Sequence, residues 1–317
     1  DYLWTSPNTF VASANCALYC GASVDFVDID IETGLMSIAK LKNKLEIASK
    51  DGKLPKILVP VHFSGSSCEM QEIYELAQKY NFKIIEDASH AIGASYLNES
   101  VGNCKFSDLT IFSFHPVKII TTGEGGIITT NDQEIAERLK NLRSHGITKN
   151  KEKFINEKIY SWSYEQQELG FNYRMPDINA SLGLSQLKRL DEIVNERNKL
   201  YTNYQRLFEK LPLELLKIPN SAKSSVHLAV ILLNAELSKK HSIIFDRMRE
   251  NNIGIQLHYI PVHTQPFYKN LGFKSNDFPE SIKYSNRAFS IPLYPGLSSI
   301  DQEYITEVLK KVINDSI

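Results

Sequence analysis

Short apolar runs rich in β-branched residues alternate with stretches of helical periodicity through the first half of the chain. Such runs are typical of buried strands. Five strands are predicted, at residues 23–29, 56–61, 82–86, 108–112 and 126–130. Helices are predicted at residues 69–80 and 133–143, where apolar residues recur on one face. This alternation predicts an α/β fold with a largely parallel sheet.

The second half of the chain has a different pattern. Apolar residues recur at helical spacing from Leu187 to Leu211, which predicts a long connecting helix. Strands at 226–233 and 254–259, a helix at 238–250 and a terminal helix from 301 are predicted after it. We therefore expect a large domain at 1–186, a connecting helix at 187–212 and a smaller α+β C-terminal domain at 213–317.

Composition narrows the class of protein. The chain has 317 residues, a formal net charge of −1, 42 % hydrophobic residues and 23 % charged residues. This is an ordinary globular composition, and the small charge argues against a nucleic-acid or anionic-membrane binder. No apolar stretch approaches the roughly 20 residues of a membrane helix. The four cysteines form no C-x-x-C pair, which predicts a cytoplasmic protein without a metal site.

Chemically distinctive residues follow several of the predicted strands. "VHFSG" (61–65) ends the second strand, "IIEDASHAIGA" (84–94) carries Asp87 and His90, and "IFSFHPVK" (111–118) carries Ser113 and Lys118. Ligands of open α/β sheets bind at the carboxyl ends of the strands. An Asp and a Lys at neighbouring strand ends would therefore face the same crevice.

Pyridoxal phosphate needs this combination of residue types. Its aldehyde forms a Schiff base with a lysine amine, its ring nitrogen needs a carboxylate, and its phosphate needs hydroxyl donors. Lys118, Asp87 and Ser113 offer these groups, and Phe10 is a candidate to cover the ring face. Taken singly, each residue has a plainer interpretation: a solvated lysine, a helix N-cap, a strand-end hydroxyl and a core aromatic.

The order of the motifs carries more information than any one of them. The segments in question are "SPNTF", "FVDID", "VHFSG", "IIEDASHAIGA", "FSFHPVKIITTGEGG", "RSHGI", "GFNYRMPDINASLGLSQL" and "IGIQLHYIPVHTQPFY". From Ser6 to about Pro295 the chain resembles the nucleotide-sugar aminotransferases of the DegT/DnrJ/EryC1/StrS type. The resemblance implies the pyridoxal-phosphate-dependent fold-type I (aspartate aminotransferase-like) architecture. Two of these segments, "FSFHPVKIITTGEGG" and "LHYIPVHTQPFY", most resemble a particular group of members. The members of this group transfer an amino group from glutamate to C4 of a UDP-linked 4-keto-6-deoxy-N-acetylhexosamine, a pseudaminic acid precursor.

The resemblance also implies roles for individual residues. Lys118 matches the Schiff-base lysine and proton carrier, and Asp87 matches the partner of the pyridine nitrogen. His90 stands where the family contacts the ring hydroxyl, although many relatives have Gln there. Phe10 matches the ring-stacking aromatic, and Ser113 matches the phosphate ligand.

Further matches concern the substrate and a second subunit. Asn172 matches a residue that reaches the neighbouring subunit's cofactor, which implies a homodimer with shared active sites. His258 and Tyr259 match a segment that contacts the nucleotide sugar, and Ser113 and Asn172 are expected to border the same substrate. In the family, a segment of about sixty residues precedes the equivalent of Asp1 and carries a phosphate-cradling loop at a helix N-terminus. The sequence thus predicts a truncated start and weakened cofactor binding.

Three other interpretations compete with this one. A sugar 3-dehydratase of the same family would have His in place of Lys118, so the lysine argues against it. A catalytically silent sugar-nucleotide-binding protein stays open, as does an aminotransferase for another nucleotide-linked keto sugar. A metal hydrolase built on His258 and His263 is disfavoured, because their spacing in a Pro-containing segment is poor ligand geometry.

Overall fold

The computed structural model of the protein describes residues 1–316 and contains alternating strands and helices. In chain order the strands are β1 Tyr2–Thr5, β2 Ser23–Phe26, β3 Ile57–Val59, β4 Lys83–Asp87, β5 Ser95–Tyr96, β6 Glu99–Ser100, β7 Leu109–Ser113, β8 Gly126–Thr129, β9 Ile147–Thr148, β10 Glu165–Gln166, β11 Leu213–Leu215, β12 Ala222–Lys223, β13 Ala229–Leu233 and β14 Ala288–Ile291. The α-helices are α1 Ala12–Tyr19, α2 Ile38–Asp51, α3 Met70–Tyr80, α4 Gln133–Leu142, α5 Asp177–Leu187, α6 Leu190–Phe208, α7 His241–Glu250, α8 Pro266–Asn270, α9 Pro279–Ser285 and α10 Ser299–Asn314.

A six-stranded sheet organises the first half of the chain. Its strand order is β2-β1-β3-β4-β7-β8, with every neighbouring pair parallel except β7 and β8. The predicted α/β class with a mostly parallel sheet is therefore confirmed. Parallel neighbours end at the same edge, and β4 lies beside β7 with Asp87 opposite Ile111. The chemically distinctive strand ends are thus adjacent in space.

Helices cover both faces of this sheet, as parallel sheets require. On one face, Leu41 and Leu45 of α2 and Ile73 of α3 are completely buried against a core that includes Trp4 and Leu58. On the other face a second set packs together. Its buried members are Leu3, Ala14, Ala17, Val24, Phe26, Val59, Val262, Tyr268 and Phe278. The C-terminal segment around Val262 therefore closes over the sheet.

The remaining core lies in the C-terminal part of the chain. An antiparallel sheet of order β11-β13-β14 packs against α6, α7 and α10. Every residue of β13 is buried, which agrees with its uninterrupted Ala-Val-Ile-Leu-Leu sequence. No helix in the described residues is both long enough and apolar enough to cross a bilayer.

Several sequence-based boundaries were wrong. The predicted long connecting helix at 187–212 is present as α6, but it begins at Leu190, because Arg189 lies outside helical geometry, and ends at Phe208; Leu187 instead ends α5. The predicted strand at 254–259 is not a strand, since only Gln256 bridges to Ser290. β13 begins at Ala229 rather than at 226, so His227 precedes the strand. β1, α1 and α2 were not predicted.

Candidate active site

Asp87 ends β4 and is fixed through both its backbone and its side chain. Its amide N–H donates to the carbonyl of Pro60, and its carbonyl accepts from the amide of His62, both at 2.9 Å. Ser13 of α1 donates its hydroxyl to Oδ2 at 2.6 Å, and the amide of Ser89 donates to Oδ1 at 3.1 Å. Residues 88–94 form turns, so Asp87 is not a helix N-cap. Two donors hold the carboxylate in one orientation at the sheet edge.

Lys118 lies in the turn that follows β7. Its backbone N–H donates to the carbonyl of His115 at 2.9 Å, and the next two residues, Ile119 and Ile120, are buried. Within residues 1–316, no hydrogen bond or ion pair involves its amine. Burial lowers the pKa of Lys118, although the Asp87 carboxylate acts to raise it. The amine therefore loses its proton more readily than a solvated lysine does.

Three aromatic rings, those of His90, Tyr259 and Phe10, pack in series close to Asp87 and Lys118. The Tyr259 hydroxyl and His90 Nε2 are 3.2 Å apart, and the two rings stack at 6.2 Å between centroids. Tyr259 is also anchored by its amide, which donates to Oδ1 of Asn8 at 3.1 Å. The Phe10 ring lies 6.3 Å from that of Tyr259 and is 62 % exposed, so it is not the core aromatic of the plainer interpretation.

Histidines near Lys118 are held neutral. Burial first, then the neighbouring His227 and the Lys118 charge, lower the pKa of His90 well below its usual value. Burial and the Lys118 charge lower the pKa of His258 to about 4, and His258 Nδ1 lies 2.8 Å from the Ser290 hydroxyl. The positive charge of Lys118 disfavours protonation of the histidines beside it. Neutral imidazoles can instead donate and accept hydrogen bonds.

Ser113 and Asn172 differ in their surroundings. Ser113 ends β7, one strand from Asp87, and its hydroxyl accepts a weak bond from the amide of His115 at 3.4 Å. It therefore keeps donor capacity for a ligand. Asn172 is exposed, forms a backbone bridge with Ser144 and makes no side-chain hydrogen bond within residues 1–316. The structure does not bring it together with the strand-end residues of its own chain.

Comparison with known proteins agrees with this arrangement. The DegT/DnrJ/EryC1/StrS aminotransferase family matches residues 1–310. The chain belongs to this family. A UDP-4-amino-4,6-dideoxy-N-acetyl-beta-L-altrosamine transaminase of Campylobacter jejuni is 38 % identical over 310 residues, covering 98 % of this chain and 78 % of the relative.

Solved structures of similar enzymes support the same assignment. Helicobacter pylori PseC, an aminotransferase involved in the biosynthesis of pseudoaminic acid, superposes with a TM-score of 0.89 at 29 % identity, covering 99 % of this chain and 80 % of that one. The PLP form of the putative sugar aminotransferase Spr1654 of Streptococcus pneumoniae gives 0.87 at 26 % identity, covering 100 % and 82 %. The predicted fold type, nucleotide-sugar aminotransferase class and cofactor are confirmed.

The residues present fit pyridoxal 5′-phosphate, the cofactor of these aminotransferases. The amine of Lys118 has no partner among the described residues, the Asp87 carboxylate is oriented by two donors, and the Phe10 ring is exposed. His90 adds a buried Nδ1 that lacks a hydrogen-bond partner within the described residues. Buried polar atoms normally have partners, so this one indicates a place where a bound group belongs.

Two residues of the site escaped the sequence-based reasoning. Ser13 holds Asp87 across 74 positions of the chain, and its hydroxyl is itself 2.9 Å from that of Thr9. His227 lies 4.4 Å from His90 between ring centroids. The only local signal for the first was a second hydroxyl residue, Thr9, four positions before Ser13 and ahead of α1. No local signal marks His227.

Two other polar motifs serve the framework. His62 and Glu86 are buried and lie 2.6 Å apart, while Ser107 and Thr110 donate to the same carboxylate at 2.5 and 2.9 Å. Burial acts to raise the pKa of Glu86, but these donors outweigh it and hold that pKa below its usual value. His263 is also buried, 3.2 Å from the carbonyl of Ser275. In residues 1–316 no group of three or more potential metal ligands occurs.

Proposed function

We propose that this chain transfers an amino group from glutamate to C4 of a UDP-linked 4-keto-6-deoxy-N-acetylhexosamine, a precursor of pseudaminic acid. The observation that carries the proposal is the pair formed by Asp87, an oriented carboxylate that ends β4, and Lys118, a lysine of lowered pKa in the turn after β7 whose amine has no hydrogen-bond or ion-pair partner within residues 1–316. Aminotransfer needs a lysine that can be an amine and a carboxylate that stays charged.

The choice of sugar has support from two similar proteins. The Campylobacter jejuni relative is named for a UDP-linked 4-amino-4,6-dideoxy-N-acetyl sugar, and Helicobacter pylori PseC is described as acting in pseudoaminic acid biosynthesis. Both align along nearly the whole of this chain. A second nucleotide-linked keto sugar is the alternative acceptor.

Each residue then has a physical task. Lys118 would hold the cofactor covalently and carry a proton at Nζ, while Asp87 would hold the proton of the ring nitrogen. Phe10 would cover the ring face, His90 would contact the ring hydroxyl, and Ser113 would bind the phosphate. When bound, the cofactor supplies an electron sink. His258 and Tyr259 border the sugar side of the crevice, where burial excludes water and strengthens electrostatic contacts.

We further propose a homodimer in which Asn172 contributes to the partner's site, with Ser113 and Asn172 both bordering the substrate. The surroundings of Asn172 support this. Helix α5 follows it and has no buried residue, although its sequence is apolar. Large apolar side chains of this region that stay exposed are Leu169, Phe171, Tyr173, Ile178 and Leu184. Exposed apolar side chains grouped along one segment are typical of a protein interface. We propose the domain limits 1–186, 187–212 and 213–317.

All four cysteines are free thiols, which supports a cytoplasmic location. For the function itself, the test is incubation of the protein with cofactor, ¹⁵N-glutamate and separate UDP- and GDP-linked 4-keto sugars. We expect a ¹⁵N-labelled amino group at C4 of the UDP-linked N-acetyl sugar, identified by mass spectrometry and NMR. Product only from another sugar would replace the proposed substrate. Sugar binding without any labelled product would favour the silent binding protein.

A further inference from the structure

His227 is a buried histidine whose side chain lacks protein partners. It is 7 % exposed, its Nδ1 is inaccessible to solvent, and neither ring nitrogen is hydrogen-bonded within residues 1–316. An unsatisfied buried polar group costs about 1–3 kcal/mol. Such a group persists where a ligand supplies the missing partner, and His227 packs against His90 at the edge of the site.

The backbone around His227 is held from two sides. Its amide donates to the carbonyl of Ser64 at 2.9 Å, and its carbonyl accepts from Nη1 of Arg197 at 3.2 Å. These contacts join the C-terminal part of the chain to the turn after β3 and to α6. The backbone of His227 is therefore fixed, and its buried ring is held beside His90.

Gly65, the glycine of "VHFSG", allows the backbone at His227 to pack closely against the turn after β3. A Cβ on Gly65 would lie 2.8 Å from the backbone nitrogen of Val226 and 2.9 Å from that of His227. Such distances are too short for carbon against backbone, so any side chain here would push the segment away. The φ of Gly65 is +99°, which also favours glycine.

Electrostatics decides which ligand group suits the ring. Burial, then the charges of Lys118 and Arg197, lower the pKa of His227 well below its usual value. A neutral imidazole has one N–H donor and one bare acceptor nitrogen. That combination matches a hydroxyl or an amide, which also donate and accept, better than a carboxylate or phosphate.

We propose that His227 is a specificity-determining residue that hydrogen-bonds an uncharged polar group, a hydroxyl or the N-acetyl amide, of the substrate's sugar ring. This inference rests on the proposed function and deepens it. The His227 ring lies 4.4 Å from the His90 ring between centroids, and the Tyr259 hydroxyl lies 3.2 Å from Nε2 of the same His90. His227 therefore shares His90 as a neighbour with Tyr259, the residue that we propose borders the sugar.

The test combines His227→Phe with two glycine variants of the full chain. His227→Phe keeps an aromatic ring and removes both nitrogens. We expect the KM for the 4-keto sugar to rise about tenfold, which is about 1.4 kcal/mol. The rate at which glutamate changes the absorbance of the bound cofactor stays unchanged. Gly65→Ala should reproduce the same split, whereas Gly52→Ala, where a Cβ meets nothing within 4 Å at φ +66°, should behave as the parent.

A second measurement needs no variant and no turnover. In ¹⁵N-histidine-labelled protein with cofactor, UDP-N-acetylglucosamine should shift the ring nitrogens of His227, whereas UDP alone should not. Unchanged KM in His227→Phe together with an unshifted ring would overturn the inference and leave His227 a packing residue. If the parent forms no amino sugar and its His227 ring does not respond to the UDP-sugar, the proposed function has failed as well. Product formation in the parent distinguishes the two failures.

Discussion

Replacing Asp87 by Asn tests the role of charge at the end of β4 while keeping the shape of the side chain. Two donors, Ser13 and the amide of Ser89, hold the carboxylate. Bonds to a charged group are worth about 1.5–3 kcal/mol and neutral ones about 0.5–1.5 kcal/mol. Each bond should lose about 1–1.5 kcal/mol, so the free energy of unfolding should fall by about 2–3 kcal/mol. The Ser13 hydroxyl also lies beside Thr9 and can turn to accept from the new amide, so we expect the fold to survive.

The catalytic loss should be much larger than this change in stability. An amide cannot hold a proton on a ring nitrogen, and removing one preorganised electrostatic group from a site typically costs about 10²–10³ in kcat. The assay is the rate of the glutamate half-reaction, followed by the absorbance of the bound cofactor. In the cofactor-free protein, loss of the Asp87 charge should lower the pKa of Lys118 further, because that charge acts to raise it. Faster labelling of Lys118 by an amine reagent at neutral pH would show this.

Asp108→Asn is the matched control. Asp108 accepts from the amide of Ile84 at 2.9 Å and from Lys83 at 2.8 Å, but it lies at the start of β7, away from the strand ends that carry the site. We expect this variant to lose comparable stability and little activity. An Asp87→Asn enzyme that turned over at close to the parent rate would refute the electrostatic role and leave Asp87 a structural anchor.

Three further predictions concern neighbouring residues. Lys118→Ala should abolish formation of the amino sugar, because it removes the lysine on which the Asp87 charge acts; labelled product in the sugar assay would contradict this. Ser13→Ala removes a hydrogen bond to a carboxylate, worth about 1.5–3 kcal/mol, and should slow the glutamate half-reaction about 10- to 100-fold; an unchanged rate would show that Ser89 alone orients Asp87. Burial lowers the pKa of His258 from 6.5 to about 4, so between these pH values the unfolded chain binds a proton that the folded chain does not, and the free energy of unfolding falls by about 3 kcal/mol as the pH falls from about 6.5 to about 4. Urea unfolding at pH 7 and pH 4 should thus show a smaller pH dependence for His258→Gln than for the parent, and equal dependence would count against the burial of a neutral ring.

The sheet and its reactive end could be predicted because both leave local marks in the sequence. Buried parallel strands are continuous apolar runs; Asp87 ends one such run, and Lys118 lies in the turn after another. The strand predicted at 254–259 was wrong for a physical reason. Ile255 packs in the C-terminal core, whereas Leu257 and Tyr259 pack against the core of the six-stranded sheet, and among the described residues this segment pairs with a strand only through the bridge from Gln256 to Ser290. The long helix α6 was predicted, but its first residue was not, because the break after α5 interrupts neither the apolar spacing nor the helical propensity.

Ser13 and His227 are residues of the site that the sequence pattern could not identify. Ser13 reaches Asp87 only because α1 packs beside β2 and β1, and the Ser13–Asp87 contact joins residues 74 positions apart. His227 reaches His90 only because Gly65 lets two backbones approach closely. Contacts of this kind depend on tertiary packing, and hydrophobic periodicity and motif spacing predict only local structure.

The central claim is that Lys118 carries the cofactor and passes amino groups between glutamate and a sugar. Borohydride reduction followed by peptide mapping tests it directly. With cofactor alone, the added pyridoxyl mass should lie on the peptide that contains Lys118. Prior incubation with glutamate should remove this reducible link, and subsequent addition of the UDP-linked 4-keto sugar should restore it. A label on a different lysine, or a link that glutamate leaves in place, would contradict the account.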